Sequence, residues 1–203
     1  FELGDPRQPD TQGALVCQGW PGYGSIQADH WFAASDVPDH ARLAGVIHFC
    51  FACYSTGCPR EDNFAWTEVG PRQIAAGPMF ARLPQAMLTH PDGGALAVIG
   101  HIDRAWAYSF VSDRGKGQVQ GMRDFLAGIL SGYRIGHAMD RFNIRWAALS
   151  TELSQPIQAS VQGTISQTHL VNRWIARDDA RNYIILGDPA ARLRVEDMSL
   201  GNG

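Results

Sequence analysis

Gly45-Val-Ile-His-Phe-Cys-Phe-Ala-Cys53 is the stretch whose reading decides the fold. It is short, rich in β-branched and aromatic residues, and apolar on both faces. That pattern predicts a central strand of a parallel sheet, covered by helices on each side. Tyr54-Ser-Thr-Gly57 follows it with a turn signal. The next comparable run is Ala95-Leu-Ala-Val-Ile-Gly100, introduced by the turn Pro91-Asp-Gly-Gly94. Between the two, residues 79–90 place Phe80, Leu83, Met87 and Leu88 on one side of a predicted helix, with Pro84 confined to its first turn. Strand, helix, strand is a βαβ unit, so the two strands are expected to run parallel with a right-handed connection.

Further along, beyond a glycine-rich stretch at 115–121, Met122, Phe125, Leu126, Ile129, Leu130 and Tyr133 recur at helical spacing. A second helix is expected around 141–153, carrying Phe142, Ile144, Trp146 and Leu149. Residues 157–168 are ambiguous and allow an extended run, and Leu170 to Arg177 reads as a short helix. Tyr183-Ile-Ile-Leu186 is a third buried strand, ending at Gly187-Asp-Pro189. Residues 1–40 are punctuated by Gly and Pro and read as loop with short extended pieces such as Ala14–Cys17. The expectation is one α/β domain over residues 1–203.

Composition narrows the function. Of 203 residues, 45% are hydrophobic and 18% charged, enough apolar material for a packed core. A formal net charge of -3 gives no basic footprint for nucleic acid, and no apolar run is long enough to span a bilayer. Arg supplies nearly all the positive charge, which favours fixed, forked contacts to carboxylates over mere solvation. The opening residues lack the regions of a signal peptide and an initiator Met, so the chain is expected to begin inside a longer protein. Four cysteines are few, which disfavours a disulfide scaffold and, with no signal peptide, favours the cytoplasm. Cys50-x-x-Cys53 has the form of half a zinc site, yet no second Cys or His pair follows at metal spacing, so neither metal nor cofactor is expected.

Chemistry in an open parallel sheet sits at the carboxyl ends of the strands. The first strand delivers Cys53, then Tyr54, Ser55 and Gly57; the second His101, Asp103 and Arg104; the third Asp188. A cysteine at a strand end, before a small turn, can present its sulfur at a cleft with backbone N–H groups lining an oxyanion hole. Its thiolate needs a cation or a histidine beside it. Cys50 is expected on the opposite face, in the core, with His48 as a hydrogen-bonded core histidine. Cys58 is expected beyond the turn and exposed, Cys17 as a packing residue. Neighbouring parallel strands end about 5 Å apart, which brings His101 near Cys53. His101-x-Asp103-Arg104 then serves either a substrate cleft or a structural ion-pair loop. His30, His40, His90, His137 and His169 carry no legible context.

Three segments, in this order, carry a resemblance. Phe51-Ala-Cys-Tyr-Ser-Thr-Gly57 resembles the strand-end segment of caspase-like (clan CD) cysteine peptidases. Ala97-Val-Ile-Gly-His-Ile-Asp-Arg104 is similar to the next strand and loop of gingipain-like proteins. Asn182-Tyr-Ile-Ile-Leu-Gly-Asp-Pro-Ala-Ala-Arg-Leu193 resembles the segment closing their catalytic domains. The resemblance implies a caspase-like three-layer domain, a mainly parallel central sheet flanked by helices, whose N-terminal strands lie outside this chain. It implies a Cys–His dyad with Cys53 as nucleophile, and His101, Asp103 and Arg104 near the substrate pocket. The family's histidine stands in a His-Gly pair; this chain has none, and its opening resembles the loop that follows one. The histidine is therefore expected upstream of Phe1, with His101 as the fallback base.

The implied function is a bacterial cysteine endopeptidase, open to self-processing, acting on protein or peptide and completed by the upstream segment, without nucleic acid or membrane as partner. Glu61, Asp62 and Asp103 would favour a basic residue before the cut, Arg104 an acidic one. The alternative is a catalytically inactive caspase-like module for binding or scaffolding. A nucleotide-binding domain is disfavoured, because Gly19-x-x-Gly22-x-Gly24 matches no phosphate-binding fingerprint.

Overall fold

The computed structural model of the chain describes residues 3–107, 110–111, 119–163 and 165–197. It divides into two units, Phe1–Arg104 with Ile184–Gly187, and Ala105–Tyr183 with Asp188–Gly203. The first unit contains α1 (Gln8–Thr11), β1 (Leu15–Val16), β2 (Trp31–Phe32), β3 (Ile47–Phe49), β4 (Gly57–Cys58), β5 (Glu61–Thr67), β6 (Gly70–Gln73), β7 (Met79–Phe80), α2 (Arg82–Leu88) and β8 (Ala97–His101). Among the described residues of the second, the α-helices are α3 (Gln120–Leu130), α4 (Ile135–Glu152), α5 (Ser154–Val161) and α6 (Gln167–Arg181). The strand β9 (Tyr183–Gly187) then returns the chain to the first. The glycine-rich stretch lies mostly outside the described residues.

The architecture is mixed α/β with small sheets. One sheet has three strands in the order β3-β8-β9, and three have two strands each, β1-β2, β4-β7 and β5-β6. β3 and β8 are parallel, with Ile47 opposite Ala97 and Phe49 opposite Ile99. That is the βαβ connection expected from the sequence, with α2 between them. The centre of the sheet differs from expectation. β8, buried at all five positions, is the middle strand, whereas β3 is shorter than the predicted run and only half-buried. Apolar residues on both faces of 45–53 mark burial, but the chain leaves the ladder after the Cys50 N–H bonds to the Ile99 carbonyl at 2.8 Å.

Below this sheet, α2 sets Leu83 and Met87 against Ala95 and Val98, with Leu15, Val37, Leu43 and Val46 packed around them. Pro84 sits in the first helical turn, where its missing N–H costs nothing. Met79 and Phe80, expected in the helix, form β7 instead and pair with Cys58 and Gly57. In the helical unit, α4 buries Ile135, Ala138, Met139 and Phe142, one face at helical spacing. α3 buries Met122, Phe125 and Ile129. Their contact is an edge-on pair, Phe125 to Phe142, with centroids 5.4 Å apart, and Phe142 also packs on Tyr183 at 4.4 Å. α4 begins six residues before its predicted start, and the ambiguous 157–168 region is helical through Val161, with Pro156 in the first turn of α5.

Candidate functional site

The turn after β3 is built to turn one side chain outward. Tyr54 holds a φ of 56°, the left-handed region that costs an ordinary residue about 1–2 kcal/mol. Three backbone bonds hold the turn in place. The Tyr54 N–H donates to the Asp103 carbonyl at 2.9 Å, the Thr56 N–H to the His101 carbonyl at 3.1 Å, and the Ser55 N–H to the Ala52 carbonyl at 3.4 Å. Two of these partners lie in or just after β8, so the turn is tied to the neighbouring strand and its loop. Ser55 and Thr56 are buried, and Ser55 Oγ accepts the His101 N–H at 3.0 Å. Gly100 leaves the space they occupy: a Cβ there would collide with Ser55 Oγ and lie 3.0 Å from Thr56 Cγ2. Cys53 is exposed. The three N–H groups that follow it are committed to the turn, so a substrate oxygen finds no donor among them.

The other cysteines separate from Cys53 by environment. Cys50 is buried, its Sγ 2.7 Å from His48 Nε2, and burial pushes its thiol up to about 11. Burial also pushes His48 below its ordinary value. Cys58, expected to be exposed, is buried in β4 against β7, and burial, reinforced by Asp103, raises its thiol to about 11. Cys17, expected to pack inside, is exposed on the short hairpin. His90, without context in the sequence, is a buried histidine with Nε2 3.1 Å from the Pro38 carbonyl.

His101, Asp103 and Arg104 lie beside the Cys53 turn, in different settings. His101 has no exposed surface, and its Nδ1 sits 3.1 Å from the Asp103 carbonyl. Asp103 is also buried; its carboxylate accepts from Asn63 Nδ2 at 2.6 Å and from the Arg104 N–H at 2.7 Å. Arg104 alone of the three keeps a substantial exposed side chain, 36%. Its guanidinium donates to the Tyr54 hydroxyl at 3.3 Å and to the fully buried carboxylate of Asp62. Burial, against the pull of Arg104, pushes the Tyr54 phenol up to about 12. Asp188, at the end of β9, accepts the Ala190 N–H at 2.8 Å and shapes a local turn.

Two cavities adjoin this turn. One, about 620 Å³, is lined by Cys53 itself together with Gly13, Ala14, Val16, Ile26 and Trp31. The other, about 460 Å³, is lined by Tyr54, Arg104, Gln12, Arg72 and Gln73. Gln12 lines both. Nothing in the local sequence marks Gln12, the residue after α1, or Arg72 in β6. Gly13 held the one trace: its φ is +82°, and a Cβ there would meet the Tyr54 carbonyl at 3.2 Å and the Ser55 carbonyl at 3.0 Å. The N-terminal loop therefore runs directly over the Cys53 turn.

Comparison with known proteins gives one match. The profile of peptidase family C25 matches residues 47–194, from the first residue of β3 to beyond β9, and so takes in Cys53, His101, Asp103 and Arg104. No curated protein and no solved structure matches the chain. The matched span is well over half of the 203 residues, and the chain belongs to peptidase family C25, the gingipain family of clan CD cysteine peptidases.

Proposed function

We propose that the chain is the catalytic part of a cysteine endopeptidase in which Cys53 is the nucleophile and a histidine its base. The observation that carries this is the exposed Cys53 thiol, set on a turn held in a strained conformation at the end of a strand parallel to β8. Strain of this kind is retained where surrounding structure enforces it, and it clusters at functional sites. The caspase-like three-layer arrangement with a mainly parallel sheet is part of the same reading. It draws support from family membership and from the β3–β8 pair. So does the single catalytic domain over 1–203, since the family match crosses both units.

In the proposed reaction the Cys53 thiolate attacks the scissile carbonyl carbon, and the carbonyl π pair moves onto oxygen. The tetrahedral adduct re-forms the carbonyl as the C–N bond breaks, and the imidazolium gives its proton to the departing amine. Water then attacks the thioester carbon, its proton passing to the imidazole. The acid leaves and the sulfur is released. Arg104 faces the substrate in this scheme, while His101 and Asp103 position the loop that carries it. The base is a histidine of a His-Gly pair, as the resemblance implies. None of the seven histidines here is followed by Gly, which also favours a second reading, an inactive module that binds without cutting.

Iodoacetamide at pH 7, with alkylated cysteines mapped by mass spectrometry in the full-length protein, decides between the two. Cys17 is the internal standard, because it too is exposed. A thiolate held by an imidazolium should label at least about tenfold faster than an ordinary exposed thiol. Selective labelling of Cys53 at such a rate is the expected result. Labelling no faster than Cys17 would remove the dyad and leave the binding module.

A further inference from the structure

The cavity beside Tyr54 has a chemistry of its own. Among the described residues, the charged side chains that line it are arginines, Arg72 from β6 and Arg104 from the loop after β8. Two nearby carboxylates, Asp62 and Asp103, are buried behind them, while the exposed Glu61 of β5 stands opposite Gln73 and is not among the lining residues. Asp62 is fully buried, bound to the Arg104 guanidinium and to the Phe64 N–H at 2.9 Å. Asp103 is buried against Asn63 and the Arg104 N–H. A basic side chain entering here would face two guanidiniums on the cavity wall, with like charge opposing it at close range. Arg72 is exposed, and no carboxylate pairs with it among the described residues. Arg104 already shares its charge with Asp62, so Arg72 is the cation with charge to spare. Gln12 also lines it, 7% exposed, but its unpartnered Oε1 is an acceptor and offers a carboxylate nothing, so the charge recognition rests on the arginines. Tyr54, which directly follows Cys53, forms part of this wall, while Cys53 itself lines the adjoining cavity.

We propose that this arginine-lined cavity receives the carboxylate of an Asp or Glu on the acyl side of the cut, with Arg72 as its principal charge partner and Arg104 as the second. The inference rests on the peptidase reading of Cys53. Guanidinium to carboxylate is a charge-assisted and often forked contact, and its geometry discriminates as well as binds. Asn and Gln keep the shape and lose the charge; Lys and Arg reverse it.

The test uses the full-length protein and a set of internally quenched peptides identical except at the residue before the cut. The expected kcat/KM for Asp or Glu exceeds that for Lys or Arg by about a hundredfold, with Asn and Gln between, the scale on which polar pockets discriminate. Raising the salt should narrow the gap. Arg72→Glu should cut the acidic-to-basic ratio by at least about tenfold, and Arg72→Lys should keep its sign. An unchanged rate of Cys53 alkylation in both variants establishes that the turn is intact. A preference for Lys or Arg, or a ratio untouched by Arg72→Glu, overturns the inference while the peptidase reading stands. If no peptide is cut and Cys53 labels no faster than Cys17, the peptidase reading falls and this inference falls with it.

Discussion

Cys50 and Cys53 stand three residues apart, and the molecule treats them in opposite ways. Cys50 has a histidine beside it, 2.7 Å from His48, and in outline that pair resembles a catalytic dyad. Its environment works against the chemistry. A working dyad needs thiolate and imidazolium, whereas burial raises the Cys50 thiol to about 11 and lowers His48. Both shifts favour the neutral pair, so at pH 7 the Cys50 thiolate amounts to roughly one part in ten thousand. Cys53 has left the ladder and is exposed, on a turn whose backbone bonds are fixed by β8 and its loop. Proximity of sulfur and imidazole is therefore a poor guide to reactivity. What separates the two sites is which protonation state the surroundings can tolerate.

The sharpest way to break that comparison is to remove each thiol in turn. Cys53→Ala should lower peptide hydrolysis by at least about a thousandfold, the scale on which loss of a nucleophile is felt. Because the side chain is exposed, its unfolding free energy from urea titration should change by no more than about 0.5 kcal/mol. Cys50→Ala should do the reverse, keeping hydrolysis within a few-fold and costing about 1 kcal/mol of stability for a small core cavity. Activity lost in Cys50→Ala and kept in Cys53→Ala would place the chemistry on the buried pair instead.

A second change tests whether the turn depends on the strand beside it. Gly100 gives Ser55 and Thr56 their space, and a Cβ would also come within 3.4 Å of Cys50 Cβ. Ser55 cannot retreat without giving up the His101 N–H, a bond between buried groups. Gly100→Ala should therefore cost about 2 kcal/mol through overpacking and the lost bond. It should slow Cys53 alkylation as well, although position 100 lies in the core. Loss of stability with an unchanged alkylation rate would show that the exposed thiol is indifferent to the buried side.

The sequence exposed some of this arrangement and concealed the rest for physical reasons. β8 was legible because an apolar run buried on both faces has few alternatives, and Cys53 because it follows the first strand. Helix α4 was read six residues short: Gly136 and His137 interrupt the apolar period just where Ile135, Ala138 and Met139 pack. The hairpin β5–β6 was not read at all. Its two-residue loop is Glu68-Val69, with none of the usual Asn-Gly or Asp-Gly signal, and its register shifts between Glu61 and Trp66. That hairpin supplies Arg72, Gln73, Asp62 and Asn63 to the site. The first thirteen residues supply Gln12. Neither contribution has a local signature, since each depends on contacts across tens of residues. Cys17 and Cys58 were misplaced for the same reason: a lone cysteine carries no periodicity to tell burial from exposure.

The smallest expected effect probes the buried side by itself. The thiols of Cys50 and Cys58 rise from 9.0 to about 11, and the Tyr54 phenol from 10.0 to about 12, burial being the largest cause in each. All three hold their protons more tightly folded than unfolded. As pH climbs from about 9 toward 11, the unfolded chain loses protons first, so it binds fewer than the native state and unfolding free energy falls. Stability is fully present below about pH 9; the thiols' share is lost from about 9 to 11 and the phenol's from about 10 to 12. With Arg supplying nearly all the positive charge, few lysines titrate there to obscure the trend. Urea midpoints measured from pH 8 to about 12 should decline in the wild type and in Cys53→Ala, which keeps all three buried groups. In Cys50→Ala the slope should be shallower, because one of the three proton-retaining groups is gone. Identical slopes in the two variants would mean that Cys50 and Cys53 meet similar surroundings, and the contrast between them would have to be drawn elsewhere.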